Sequence, residues 1–329
     1  MRILVAGGAG YIGSCTTEYL LEHGHEVAVF DALLNGHRAA VDPRARFYQG
    51  NLEDTAELSR VMADFSPEGV IHFAAFIEVG ESMKDPGKYF NNNVGNAIHL
   101  AEAAARANVR KLVFSSTAAV YGMPSVEAAA RGLDENTPKN PINPYGRSKL
   151  IFEQILEWYA KIYGMQYTAL RYFNAAGATR LRGEDHHPES HLIPLVIQAA
   201  MGVRPSISIF GTDYATPDGT CIRDYVHVLD LAQAHLLALQ AEGSDAFNLG
   251  SGRGYSVRQV IDAVRTVTGK EFAVKEEARR PGDPDILVAN SDKAKRLLGW
   301  KPQYDDLEAI VRSAWEWRQA HPNGYNDRG

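Results

Sequence analysis

The sequence predicts an α/β fold: a doubly wound parallel sheet with a smaller α/β substrate-binding domain. Three observations carry this expectation. Short buried apolar runs alternate with amphipathic helical stretches over the first half of the chain, as in parallel strands joined by helical crossovers. The first run is followed at once by a glycine cluster and a helix. After Asn174 the texture changes to polar connections with isolated short strands. The 329 residues are enough for one large or two moderate domains. Apolar content of 45% and charged content of 22% are those of a soluble globular chain. A net charge of −6 leaves no basic footprint for nucleic acid. Cys15 and Cys221 cannot make a disulfide framework and fit a reducing compartment. The opening apolar run, Ile3 to Ala6, is interrupted too soon for a secretory signal or a membrane span. A cytoplasmic, soluble protein is expected.

In chain order, residues 2–6 read as a buried strand. Gly7-Gly8-Ala9-Gly10-Tyr11-Ile12-Gly13 follows, then a helix to Glu22, a second strand over 25–30, and Asp31 at its end. Strand, glycine loop, helix, strand and acid form the dinucleotide-binding pattern of a Rossmann-type sheet. The glycines permit a tight turn and close approach to a pyrophosphate. The helix N-terminus offers free N–H groups and a positive dipole end. Asp31 can accept hydrogen bonds from both adenosine ribose hydroxyls and repels a 2′-phosphate, so NAD is expected over NADP. A strand over 45–49, a helix over 55–65 and a strand over 69–75 come next. That strand ends in Phe73, Ala74 and Ala75, whose small residues would let a cofactor lie against it. Residues 89–106 read as one long helix, with Asn92 and Asn93 near its start. The strand over 110–117 ends in Ser115, Ser116 and Thr117. Ligands of open α/β sheets bind outside the carboxyl ends of the strands, so Thr117 stands where chemistry would occur.

Asn143-Pro144-Tyr145-Gly146-Arg147-Ser148-Lys149 opens the next helix, with Pro144 in its first turn. Tyr145 and Lys149, four apart, share one face. The ammonium is expected to move the phenol down from its usual ~10 and tune it to remove a proton from a hydroxyl. Taken alone, the pair reads first as a surface tyrosine beside a solvated lysine, since such pairs are common; the rest of the chain turns the reading toward chemistry. A sixth strand covers 166–173.

Beyond it, strands are expected at 206–210, 272–275 and 286–289. The segments around Arg223 and around Arg279, Arg280 and Asp283 offer arginine to an anionic ligand. Histidines and acids crowd the stretch 180–191, but no His-to-His spacing there matches a zinc motif, so a polar loop and no metal are expected. The helix over 307–318, with Trp315 and Trp317, reads as packing. The expected division is 1–178, with a segment around 224–254 returning to it, for the cofactor, and 179–329 mainly for the substrate.

These motifs resemble those of the extended short-chain dehydrogenase/reductase family and, over nearly the whole chain, its nucleotide-sugar 4-epimerase group. The glycine loop and the Tyr145–Lys149 motif are shared across the wider family. Residues 115–122, 171–177, 183–194, 218–225 and 279–283 match the epimerase group. The resemblance implies interconversion of UDP-galactose and UDP-glucose by transient oxidation at sugar C4, turning of the 4-keto sugar, and hydride return from a tightly held NAD. It implies that Tyr145 takes the 4-hydroxyl proton, that Lys149 holds the nicotinamide ribose, and that Thr117 hydrogen-bonds the reacting oxygen. UDP-sugar contacts map onto Thr117, Tyr145, Asn174, His191, Leu192, Phe210, Arg223, Arg280 and Asp283. Cofactor contacts map onto Gly7, Gly10, Tyr11, Ile12, Gly13, Asp31, Asn35, Asn51, Leu52, Phe73, Ala74, Ala75, Asn92, Ser115, Tyr145, Lys149 and Tyr172. A homodimer packed through the helices over 89–106 and 145–163 is also implied.

Three positions depart from the pattern. Asn51 replaces the usual Asp beside adenine, Ile77 replaces a lysine found near the cofactor phosphates in some members, and Leu287 is intermediate between a tyrosine and a smaller residue. The last leaves acceptance of N-acetylated sugars open. UDP-pentoses or UDP-N-acetylhexosamines would use the same machinery. A 4,6-dehydratase would want an acidic pair where Ala118 and Ala119 stand. A non-catalytic NAD-binding regulator is the alternative from another class, and the joint presence of Thr117, Tyr145 and Lys149 argues against it.

Overall fold

A computed structural model describes residues 1–280 and 282–327. The strands in chain order are β1 (Arg2–Ala6), β2 (Glu26–Asp31), β3 (Arg46–Gln49), β4 (Gly69–His72), β5 (Lys111–Thr117), β6 (Gln166–Tyr172), β7 (Asn174–Ala176), β8 (Ser206–Phe210), β9 (Ile222–His227), β10 (Asp245–Leu249), β11 (Gly254–Ser256), β12 (Ala273–Glu277) and β13 (Ile286–Leu287). The main sheet has the order β10-β6-β5-β4-β1-β2-β3, and every neighbouring pair in it is parallel. Strand order reverses between β1 and β4. Such a switch point opens a crevice at the strands' carboxyl ends.

Successive side chains of a strand point to opposite faces, and the sheet uses both. Leu4, Ala6, Val70, Leu112 and Phe114 pack on one face, with residues of the helices Thr55–Phe65, Ala97–Arg106 and Pro144–Tyr163. Ile3, Val5, Ile71, Val113 and Leu170 pack on the other, with Leu20 and the helix Val228–Gln240. Burial on both faces explains why these strands read as continuous apolar runs.

A second assembly lies beyond β6. β9 pairs with β7 and β13 in parallel and with β11 antiparallel, while β8 pairs only with β12 among the described strands. The helices Leu192–Ala200, Val257–Thr268 and Leu307–Ala320 cover β8 around Ile207 and Ile209. The chain returns to the main sheet at β10, which pairs with β6.

Two elements differ from expectation. β4 stops at His72, because the backbone N–H groups of Phe73 and Ala74 both donate to the Ala6 carbonyl and the chain leaves the ladder. Phe73, Ala74 and Ala75 are therefore loop. The helix expected over 89–106 is three pieces: Pro86–Phe90, a π-helical turn over Asn91–Asn96, and Ala97–Arg106. The wide turn coincides with Asn93, whose side chain is committed away from the helix: its amide pairs with both the N–H and the C=O of Phe76 at 2.9 Å each.

Candidate active site

The glycine loop sits at the switch point. Gly7 has φ +82, and a Cβ there would lie 2.4 Å from the Ala74 nitrogen, so the loops after β1 and β4 touch backbone to backbone. A Cβ on Gly13 would lie 2.2 Å from the Gly7 oxygen. The helix Tyr11–Glu22 starts at Gly10 with no side chain capping it, which leaves its first N–H groups for an anion. This cradle, which side chains would fill, fits a pyrophosphate. Asp31 closes β2 and is tied down: Oδ2 accepts from the Ala9 N–H at 2.9 Å and Oδ1 from Leu33 at 2.8 Å. Burial raises its carboxyl pKa, and these two bonds act against the shift. Each oxygen keeps a further acceptor site for a ribose hydroxyl.

The other expected cofactor residues fall in the connections after β2 and β3, in the wide helical turn and on β6. Tyr11 donates its hydroxyl to the Gly177 carbonyl at 2.6 Å. Asn35 is exposed in the connection after β2. Asn51 follows β3, and its side chain accepts from the Glu53 N–H, while Leu52 is buried. Asn92 donates to Asn93 and accepts from Asn96 across the wide turn. Tyr172 has its ring in the core, and its hydroxyl pairs with His235 Nε2 at 3.0 Å.

The helix Pro144–Tyr163 presents Tyr145 and Lys149. Asn143 caps it by accepting from the Gly146 N–H at 2.8 Å, and Pro144 occupies the first turn. A Cβ on Gly146 would lie 2.6 Å from the Ala119 oxygen, so only glycine lets the helix meet the turn that follows Thr117. Thr117 caps that turn by accepting from Ala119. Lys149 donates to the Ser115 carbonyl at 2.8 Å, and its nitrogen stands 6.0 Å from the centre of the Tyr145 ring.

The acid/base balance of the pair differs from expectation. Burial raises the Tyr145 pKa, and the Thr117 hydroxyl lowers it only in part. Burial also pushes the Lys149 ammonium down to about 7, with Glu153 opposing. Desolvation disfavours both charged forms and outweighs the attraction read from the four-residue spacing.

Behind the pair lies a buried network that residue spacing did not suggest. Glu153, one turn beyond Lys149, accepts from Arg171 at 2.9 and 2.5 Å and from the Ser116 hydroxyl at 2.5 Å. Arg171 donates to Tyr121, and Tyr121 donates to Asn248 of β10 at 2.6 Å. Asn93 also reaches Ser148 at 3.3 Å. These partners come from different strands and helices, so no local motif signals them.

On the far side, β9 and the 279–287 segment carry the expected substrate residues. Arg223 donates to the carbonyls of Ile222 and Pro284 and forms an ion pair with Asp283 at 3.3 Å. Arg280 stacks on Phe210 at 3.9 Å, while Arg279 instead pairs with Asp213. Pro281 lies outside the described residues. Asn174 donates to the Asp224 carbonyl. Buried Asp224 accepts from Ser251, Gly252 and Ala289, tying β9 to the loop after β10 and to the chain after β13. Leu287 packs against the Val120, Tyr121, Leu133 and Leu150 cluster. His191 precedes the helix Leu192–Ala200 without capping it, and its Nδ1 lies 2.8 Å from Glu184 Oε1 and 3.2 Å from Glu189 Oε1.

The structure thus carries a glycine cradle at the switch point, Tyr145 and Lys149 on one helix beside the end of β5, and Arg223 and Arg280 held by Asp283 and Phe210. A UDP-glucose 4-epimerase of Lacticaseibacillus casei is 51% identical over 334 residues, 100% of both chains. A solved UDP-glucose 4-epimerase superimposes with a TM-score of 0.96 at 48% identity, covering 99% of this chain and 100% of that one. The Brucella ovis UDP-glucose 4-epimerase in complex with NAD gives 0.92 at 46% identity, covering 95% and 97%. Residues 3–250 match the NAD dependent epimerase/dehydratase family, and the chain belongs to that family.

Proposed function

We propose that this protein interconverts UDP-galactose and UDP-glucose with a tightly held NAD. The observation that carries the reading is the Thr117–Tyr145–Lys149 group standing beside the glycine cradle. NAD held in the cradle would supply both hydride acceptance and hydride return at sugar C4, so the reaction has no net redox change. Tyr145 removes the proton from the sugar 4-hydroxyl and returns it when the 4-keto sugar is reduced. Thr117 donates its hydroxyl to the same oxygen. Lys149, fixed on the Ser115 carbonyl, holds the nicotinamide ribose and, when protonated, favours the phenolate over the neutral phenol. Desolvation costs this arrangement charge stability. It also strengthens every remaining electrostatic interaction during the reaction.

UDP lies against the wall formed by Asn174, His191, Leu192, Phe210, Arg223, Arg280 and Asp283, where the arginines meet the diphosphate. In this reading residues 1–178, with the returning segment around 224–254, hold the cofactor, and the rest of 179–329 holds the UDP-sugar. The return of the chain to the main sheet at β10 supports that division. No described helix is long and apolar enough to cross a membrane, in keeping with a cytoplasmic enzyme. A homodimer is proposed through the helix Pro144–Tyr163 and its neighbour Ala97–Arg106, which Tyr159 joins through Glu102. Trp158 and Ile162 share the outer face of the first helix at 61% and 67% exposure, apolar surface that a second copy would cover.

Heat denaturation of protein purified without added cofactor tests the reading. It should release about one NAD per chain, from a species with the mass of a dimer in sedimentation. Protein that purifies free of nicotinamide would count against an epimerase, and a monomer would remove the proposed interface.

A further inference from the structure

The stretch 180–191 brings together four potential metal ligands that sequence spacing gave no reason to group. Glu184, His186, Glu189 and His191 each offer one atom, all within 4.8 Å of one another. They come from the loop between β7 and the helix Leu192–Ala200. We propose that these four side chains bind a divalent transition metal of the zinc class.

The distances support a shared centre. Glu184 Oε1 lies 3.1 Å from His186 Nδ1 and 2.8 Å from His191 Nδ1, and Glu189 Oε1 lies 3.2 Å from His191 Nδ1. Four ligands about 2.0–2.1 Å from a tetrahedral ion stand roughly 3.3 Å from each other. The orientation supports it independently. His186 Nδ1 is buried and makes no hydrogen bond, although a carboxylate oxygen is 3.1 Å away. Two atoms that point at each other at that distance would bond. His186 Nδ1 and Glu184 Oε1 therefore face a common third position, while His191 Nδ1 is hydrogen-bonded to Glu189 Oε1 at 3.2 Å, a bond the ion would replace.

The donor set selects the metal. Two imidazoles with two carboxylates suit zinc and its first-row neighbours, whereas calcium and magnesium favour an all-oxygen set. Two carboxylates balance the charge of a divalent ion. A cavity of about 30 Å³, lined in part by Glu184, His186 and Glu189, adjoins the group.

The location gives the ion a structural task. His186 stands edge-on to Tyr11 of the glycine loop, with ring centres 6.3 Å apart, and His191 immediately precedes Leu192. A four-ligand ion would pin the 184–191 loop, and with it the start of the helix Leu192–Ala200, beside the cofactor cradle. With all four positions filled by protein the site is closed, as in structural zinc sites, and takes no part in the hydride chemistry. The proposal does not depend on the epimerase reading.

The test uses untagged full-length protein, treated with a chelator, dialysed, and titrated with Zn²⁺. Bound metal is counted by plasma mass spectrometry, and Co²⁺ is used as a spectroscopic substitute. One tightly bound Zn²⁺ per chain is expected, together with the visible absorption of four-coordinate cobalt. Glu184→Gln and His186→Asn should each weaken binding at least about tenfold. His187→Ala, which alters an exposed neighbour outside the group, should leave it unchanged. If Glu184→Gln does not fold, Glu189→Gln takes its place. Absence of stoichiometric Zn²⁺ would overturn the proposal, and so would equal binding by wild type and the ligand variants.

Discussion

Burial dominates the chemistry of individual residues in this site. Tyr145 and Lys149 were placed on one helical face by their spacing alone, and the structure puts them there. The spacing could not reveal that both are desolvated, which raises the phenol and brings the ammonium down to about 7. In the proposed mechanism the consequence is a base whose strength depends on contacts to its oxygen. Tyr145→Phe removes the proton acceptor and leaves the ring in place. Turnover of UDP-galactose should fall by roughly 10²–10⁴-fold, the usual contribution of a positioned general base, while bound NAD is retained. Near-normal turnover in that variant would take Tyr145 out of the mechanism. The glycine loop and the Tyr145–Lys149 pair were legible in sequence because each depends on a few neighbouring residues. Asn93, Glu153, Arg171 and Asp224 were not, because each acts through partners at least 17 residues away in the chain.

Strands and most helices followed from periodicity, since burial on both faces gives apolar runs that read plainly. The exceptions lie where a side chain or backbone group is diverted to the site. β4 ends early because two N–H groups share the Ala6 carbonyl, and the helix after Pro86 widens where Asn93 holds Phe76. Helix placement is equally strict at Gly146. Adding one methyl there meets the Ala119 oxygen at 2.6 Å. Gly146→Ala should therefore destabilise the fold by about 1–3 kcal/mol, as overpacking does, despite alanine's better helix propensity. It should also lower turnover by moving Tyr145 relative to Thr117. A urea midpoint equal to or above that of the wild type would show that the helix and the turn are not in mutual contact.

Over the whole molecule, buried neutral histidines set the acid limit. Burial pushes His72 down to about 3, with Lys149 adding to the effect, and burial pushes His227 and His235 down to about 4. Each is lower in the folded chain than the ~6.5 of an unfolded one. The unfolded state therefore binds protons first as pH falls. The contribution of each histidine to stability is fully present above pH 6.5 and is lost as pH drops toward its folded value. Each adds a slope of roughly 1.4 kcal/mol per pH unit inside that window. Asp31, Asp224 and Asp230, raised by burial, act in the opposite sense at lower pH. His186 and His191, raised by their carboxylates against burial, act in the opposite sense near pH 7. Urea unfolding followed from pH 6 to pH 5 should therefore show stability falling, and a flat or rising profile there would contradict neutral burial of these rings.

The whole chain also has one chemical claim, that oxidation and reduction of a UDP-sugar both occur on NAD the protein already holds. The direct measurement is incubation of the purified protein with UDP-galactose, without added cofactor, followed by assay for UDP-glucose. Approach to the same UDP-galactose/UDP-glucose mixture from either sugar, with no NADH accumulating, is the predicted result. No conversion even with NAD supplied, or accumulation of NADH in proportion to sugar consumed, would contradict it.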